Sequence, residues 1–163
     1  YVSALTEHVA DRQLELLFEP GRSIVAMAGA LLTEVLYLKP GDIRQFAVVD
    51  AAMNDLLRPS LYGAWQEIQA VKPRAGDAEI WDIVGPVCES GDTFAKGRAL
   101  PRQSAGDFVA FRSAGAYGAV MASEYNTRQL VPEVMVHGDQ FAVIRARPTF
   151  DEMINRDMIP SWL

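Results

Sequence analysis

The chain has 163 residues, half of them apolar, which is enough for one domain with a real hydrophobic core. Fifteen basic against twenty-one acidic residues give a net charge of −6, and no basic cluster is dense enough to neutralise a phosphate backbone, which argues against a nucleic-acid partner. One cysteine cannot form an internal disulfide and fits a reducing, cytoplasmic compartment, no signal-peptide pattern is present, and the longest apolar run, residues 24–32, is too short to span a membrane.

Residues 2–10 have helical spacing, with Val2, Leu5 and Val9 on one side. Residues 14–18 form a short apolar run that reads as a strand. After the turn Glu19-Pro20-Gly21-Arg22, Ser23 reads as the N-cap of a three-turn helix over the Ala-rich run 24–32. Strand, tight Gly turn and helix form the repeating unit of an α/β barrel or doubly wound sheet, but only about one unit is present and a full barrel needs ~250 residues. The pattern then changes, with a boundary near residue 33. Extended runs follow at 33–39, 46–50, 67–71, 79–84, 108–112, 133–137 and 140–144, punctuated by Pro and Gly. Gly138-Asp139 joins the last two as a hairpin turn. This second part reads as an antiparallel sheet or small barrel, giving an α+β, mainly β chain. Residues 114–125 are rich in small side chains and read as helical. Thr149 and Glu152 have capping-box spacing for a last helix over 150–156. The chain starts at Tyr1 without an initiator Met, in an apolar pattern already under way, and reads as part of a longer protein.

Four stretches carry residues suited to chemistry. Gly85-Pro86-Val87-Cys88-Glu89-Ser90-Gly91-Asp92 follows an apolar strand and is bounded by turn residues, so Cys88 and Glu89 fall at a strand end with side chains free to reach out. They read as a thiol proton donor beside an anion for an amine; the alternative is a small packing cysteine and a turn glutamate. In the second stretch, Glu19 and Arg22 stand after a strand and before a helix, the catalytic rim of α/β barrels. Pro20 stiffens that turn, Gly21 lets backbone approach a ligand, and free N–H groups at a helix start suit an anion such as phosphate. A capped helix with a surface ion pair explains the same residues. Arg58 and Tyr62 are four apart around a Pro-Ser turn and together can clamp a carboxylate, or be a loop Arg and a half-buried Tyr. The last stretch, Ser113-Ala114-Gly115-Ala116-Tyr117-Gly118, lets backbone pass close to a cofactor with Tyr117 as its polar handle, although small residues also serve tight packing.

Phe18-Glu19-Pro20-Gly21-Arg22, Leu57-Arg58-Pro59-Ser60-Leu61-Tyr62-Gly63, the Cys88 stretch, Ala114-Gly115-Ala116-Tyr117-Gly118 and Tyr125-Asn126 occur in that order along nearly the whole chain. Together they resemble the C-terminal part of the diaminopimelate decarboxylases, pyridoxal-phosphate enzymes with an alanine-racemase-like (fold-type III) architecture. The resemblance implies that residues 1–32 finish a (β/α)8 barrel otherwise absent here, and that residues 33–163 form a β-domain carrying the Cys-Glu-Ser-Gly-Asp loop. It implies that Glu19 faces the pyridine nitrogen of pyridoxal 5'-phosphate, and that the turn Glu19, Pro20, Gly21, Arg22 lies by its phosphate. Arg22, Arg58 and Tyr62 would bind the substrate carboxylate that is retained, Cys88 would protonate Cα, Glu89 would pair with the distal ammonium, and Tyr117 would touch both cofactor and substrate. Cys88 and Glu89 would act across a homodimer interface, and no metal site is implied.

Gln66 stands where the family often has His. The family's Schiff-base lysine lies upstream of this sequence, and Lys39, Lys72 and Lys96 match no such motif, so the chain alone is expected to be inactive. The enzymatic reading is conversion of meso-diaminopimelate to L-lysine and CO2 by the full-length protein. A sister decarboxylase acting on ornithine, arginine or carboxynorspermidine is the close variant; Arg58 together with Glu89 favours a substrate whose far end carries both carboxylate and ammonium. The other reading is a non-catalytic dimerisation or regulatory domain.

Overall fold

The computed structural model describes residues 2–10 and 12–163. A short helix, α1 (Val2–Glu7), opens the chain, and residues 13–20 have no regular secondary structure and no sheet partner among the described residues. The strand expected at 14–18 is therefore not one here: an apolar run becomes a strand only when another edge takes up its hydrogen bonds. Helix α2 (Gly21–Val25) is a single turn continued by a 3-10 turn at Ala26–Ala28, and the chain is already in β1 (Leu31–Lys39) where a three-turn helix was expected. Ser23 is not its N-cap: Pro20 takes that position, and the Ser23 hydroxyl donates back to the Pro20 carbonyl at 2.6 Å. The helix ends early because Gly29 lies against Gly115, so closely that a Cβ on Gly29 would stand 2.6 Å from the Gly115 Cα.

Strands β2 (Phe46–Val49), β3 (Ile68–Ala70), β4 (Glu79–Val84), β5 (Thr93–Leu100) and β6 (Phe108–Phe111) complete a six-stranded sheet in the order β3-β6-β1-β2-β4-β5. All neighbours are antiparallel except β2 and β4. β1 is the corner: its first half pairs with β6 and its second with β2, with an irregularity between Val35 and Tyr37. The sheet curls until its edges β3 and β5 touch, a nearly closed barrel, and Arg98 Nη1 donates to the Gln66 carbonyl across the gap at 2.7 Å.

Alternation along the strands sends Val35, Val49, Ile83, Leu100, Val109 and Phe111 into the barrel, where each is almost completely buried. Phe94 and Phe111 pack with ring centroids 4.5 Å apart. Each such side chain contributes about 1.5–3 kcal/mol by leaving water. β5 was not foreseen. Lys96-Gly97-Arg98 interrupts its apolar pattern because Gly97 has φ +58° in a bulge that moves the register from Trp81↔Arg98 to Ile83↔Ala95.

Residues 114–125 are not a helix. Tyr117 has φ +57°, as does Ser113 just before the segment, and only a 3-10 turn at Ala119–Met121 interrupts the loop. A second 3-10 turn spans Tyr125–Thr127. Strands β7 (Glu133–His137) and β8 (Gln140–Arg145) form the expected hairpin around Gly138-Asp139, separate from the barrel sheet. The final helix α4 (Phe150–Ile154) carries the Thr149–Glu152 capping box. Among the described residues no helix is long and apolar enough to cross a membrane.

Candidate functional site

Helix α3 (Arg58–Tyr62) centres the site. Pro59 stiffens its first turn, and Gly63 ends it in the left-handed conformation at φ +60°, ψ 27°. Arg58 and Tyr62 are one turn apart, and the Arg58 guanidinium carbon lies 5.1 Å from the centre of the Tyr62 ring. The same carbon lies 5.3 Å from the centre of the Tyr117 ring. The positive φ of Tyr117 turns the chain at that point, so the second ring comes from a loop far away in sequence. A guanidinium with aromatic rings on it keeps its charge and its in-plane N–H fork for a carboxylate.

The Cys88 stretch is the connection between β4 and β5, and Gly91 packs on α3: a Cβ on Gly91 would stand 3.0 Å from the Ser60 hydroxyl. Cys88 and Glu89 are both exposed. One Glu89 oxygen accepts from the Gly91 N–H at 3.0 Å. A groove of about 410 Å³ runs between this loop and α3, lined by Ser60, Trp65, Ser90, Gly91 and Arg98. Arg98 covers the Trp65 ring at 4.6 Å.

The loop is held from below by Asp92, which is buried. Its carboxylate accepts the Met53 N–H at 2.6 Å and the Val87 N–H at 2.7 Å. Burial pushes the Asp92 carboxyl above its ordinary value, against the pull of those two hydrogen bonds. Asp55 is buried beside it and is also pushed up by burial, although it accepts the Ala52 N–H at 2.9 Å. Arg128 reaches toward both segments, donating to the Asp50 carbonyl at 2.6 Å and pairing with Asp55 at 3.5 Å. Asn54 donates to the Ser123 carbonyl at 2.9 Å. Sequence reasoning gave Asp50, Asn54, Asp55 and Arg128 no role; the available signal was polar residues inside the otherwise apolar stretch 47–57.

Glu19, Pro20, Gly21 and Arg22 are exposed at the start of α2. The helix is docked on the Tyr117 loop: Gly115 N–H donates to the Ala26 carbonyl at 3.0 Å and Ala114 N–H to the Gly29 carbonyl at 2.9 Å. The structure thus joins Arg58, Tyr62 and Tyr117 directly and seats the Cys88–Glu89 loop on the same helix. Among the described residues, no hydrogen bond, ion pair or ring contact links Glu19, Arg22 or Cys88 to that cluster. Gln66 is buried and bridges from the end of α3 to the Ser113 carbonyl through a long 3.4 Å contact. No group of three or more His, Cys, Asp or Glu among the described residues is placed to hold a metal.

The first turn of α2 offers backbone N–H groups without intrahelical partners, open space at Gly21 and the Arg22 cation. That donor set fits an anionic group such as a phosphate, and the Glu19 carboxylate beside it fits a protonated ring nitrogen.

A profile of the family described as "Pyridoxal-dependent decarboxylase, C-terminal sheet domain" matches residues 9–115. A diaminopimelate decarboxylase of Pseudomonas fluorescens is 55% identical over 153 residues, covering 94% of this chain and 36% of that protein. The chain therefore spans about a third of the curated relatives it matches. Among solved structures, a diaminopimelate decarboxylase from M. jannaschii in complex with L-lysine superposes with a TM-score of 0.86 at 35% identity, over 99% of this chain and 38% of that one. A diaminopimelate decarboxylase of Helicobacter pylori, also complexed with L-lysine, gives a TM-score of 0.82 at 42% identity, over 96% of this chain and 38% of that one.

Proposed function

The chain belongs to the pyridoxal-dependent decarboxylases, as their C-terminal sheet domain, and from that premise we propose that it is the C-terminal part of an enzyme converting meso-diaminopimelate to L-lysine and CO2. The observation that carries this reading is the seating of the Cys88–Glu89 loop on the helix that presents Arg58 between Tyr62 and Tyr117. Diaminopimelate has a carboxylate and an ammonium at the end that does not react, and a homodimer supplies a cation and an anion for them, Arg58 from one protomer and Glu89 from its partner. A substrate that ends in an amine alone has no use for Arg58.

When bound, pyridoxal phosphate would supply an electron sink for the pair left on Cα by decarboxylation. Glu19 would hold the proton on its ring nitrogen, and the turn from Glu19 to Arg22 with the α2 N-terminal amides would lie by its phosphate. Arg58 and Arg22, helped by the Tyr62 hydroxyl, fork onto the retained carboxylate. Glu89 pairs with the distal ammonium. The Cys88 thiol would donate a proton to Cα after CO2 has left and regain one from solvent. Tyr117 closes the site against both cofactor and substrate. Residues 1–32 complete the cofactor-binding barrel, and residues 33–163 are the β-domain.

Cys88 and Glu89 are exposed and make no contact with the Arg58 cluster of their own chain, which supports a homodimer in which they serve the partner's cofactor, and the single cysteine fits a cytoplasmic location. The test is L-lysine formation by the full-length protein with pyridoxal phosphate. Turnover of meso-diaminopimelate should exceed that of ornithine, arginine and carboxynorspermidine by roughly 10²-fold or more in kcat/KM, the span expected when site groups are left unpaired. Preference for ornithine, or no turnover of diaminopimelate, contradicts the reading.

A further inference from the structure

Eight residues, 85–92, connect β4 to β5, and their own hydrogen bonds are few. Gly85 N–H donates to the Asp92 carbonyl at 3.0 Å, Glu89 N–H to the Val87 carbonyl at 2.8 Å and Asp92 N–H to the Glu89 carbonyl at 3.0 Å. None of these fixes the loop relative to α3. The Asp92 side chain does. One carboxylate oxygen takes the N–H of Val87, the residue before Cys88, and the other takes the N–H of Met53, in the segment that runs into α3. Gly85 is cut to the same pattern: a Cβ there would fall 2.6 Å from the Asp92 carboxyl carbon, so the loop's first residue is a glycine where its last residue needs the space. Arg128 lies on the far side, its charge favouring the ionised carboxylate, while the neighbouring Asp55 opposes it.

We propose that Asp92 is the positioning residue for the Cys88–Glu89 pair: its single buried carboxylate clamps the loop to the Met53 turn, so that thiol, carboxylate and the Arg58 helix are held as one piece. The inference rests on the roles given above to Cys88 and Glu89. Only an ionised carboxylate can accept from both N–H groups at once. An amide at this position accepts one and presents its own N–H₂ to the other. The carboxylate also spans segments 39 residues apart in sequence, which no hydrogen bond within the loop does.

The test uses the full-length enzyme with its cofactor and two variants, Asp92→Asn and Gly85→Ala, the second leaving the carboxylate but displacing it. Three quantities are read: melting temperature, kcat and KM for meso-diaminopimelate, and the alkylation rate of Cys88 by iodoacetamide followed on its own peptide. Arg74→Ala, which removes an exposed ion pair to Asp107, is the control for stability alone. Both loop variants should remain folded, change the Cys88 alkylation rate by about threefold or more and lower kcat by roughly 10- to 100-fold. Arg74→Ala should lower the melting temperature and leave the other two quantities alone. A wild-type alkylation rate in the folded variants overturns the proposal, as does failure of both to fold, since a residue that only positions a loop is not needed for the barrel. A changed alkylation rate with unaltered kcat upholds the clamp and instead refutes the proton-donor role of Cys88.

Discussion

Glu89 spends one of its oxygens on the Gly91 N–H and keeps the other free, which divides its work between shaping the loop and binding a cation. Glu89→Gln preserves the acceptor for Gly91 and removes only the charge. A hydrogen bond to a charged group contributes about 1.5–3 kcal/mol, so KM for meso-diaminopimelate should rise by roughly 10- to 100-fold while kcat changes little. Steady-state kinetics on the full-length variant check this, and an unchanged KM removes Glu89 from the ammonium site. At this scale the sequence was informative where chemistry is local. Cys88, Glu89, Arg58 and Tyr62 stand in short stretches bounded by turn residues, and all but the half-buried Arg58 are exposed. The partner of Asp92 was not legible, because Met53 offers only a backbone N–H and nothing in a side-chain pattern marks it. The ring contacts of Arg58 were half legible: its pairing with Tyr62 was expected, although around a Pro-Ser turn and not on the helix that α3 is, whereas Tyr117 arrives through a left-handed turn that a non-glycine residue rarely makes.

Strands that are apolar runs bounded by turn residues were readable in advance. β4, with Trp81, Asp82 and Ile83 all buried, and the largely exposed β7–β8 hairpin fell where their apolar runs and Gly138-Asp139 put them. The elements that escaped are those ruled by close backbone approach. Gly29 and Gly115 meet so tightly that α2 stops after one turn, and the small residues at 114–118 serve that contact instead of a helix. Gly115→Ala should therefore be destabilising: its Cβ would stand 2.7 Å from the Gly29 nitrogen, and backbone cannot move aside cheaply. Overpacking of this kind costs about 1–3 kcal/mol, to be read in chemical denaturation of the full-length protein. Equal stability would mean that α2 is not docked as described. A second element-scale link is the bidentate pair between Arg74 and Asp107, which ties the turn after β3 to the turn before β6 with N–O distances of 2.7 and 2.8 Å. Arg74 holds the Asp107 carboxyl below its ordinary value of 3.8. A depressed carboxyl stabilises the fold above the unfolded value, and that contribution is lost as pH falls through the folded one. The melting curves of wild type and Arg74→Ala should differ at neutral pH and converge as pH drops below 3.8. A gap that persists in acid assigns the effect to packing instead of charge.

The barrel is nearly closed and has a real core, but the chain around it is not self-sufficient. Leu14, Leu17 and Phe18 before α2, Met135, Phe141 and Val143 on the hairpin, and Met158, Ile159 and Trp162 at the end all stand exposed. Apolar surface on this scale marks interfaces, and a two-stranded hairpin is marginal when uncovered. The isolated chain should therefore self-associate in sedimentation, and with added pyridoxal phosphate it should release no CO2 from meso-diaminopimelate. Turnover by the isolated chain would show that its chemistry needs nothing from an upstream barrel. In the proposed mechanism the Cys88 loop, mounted on the Arg58 helix, delivers a proton to the substrate. This step is tested most directly by kcat, substrate affinity and melting temperature for Cys88→Ala in the full-length enzyme. A positioned general acid is worth roughly 10²-fold or more, so kcat should fall by at least that factor with affinity and melting temperature nearly unchanged. A Cys88→Ala enzyme with normal kcat and a lowered melting temperature would contradict the account and leave Cys88 as a packing residue.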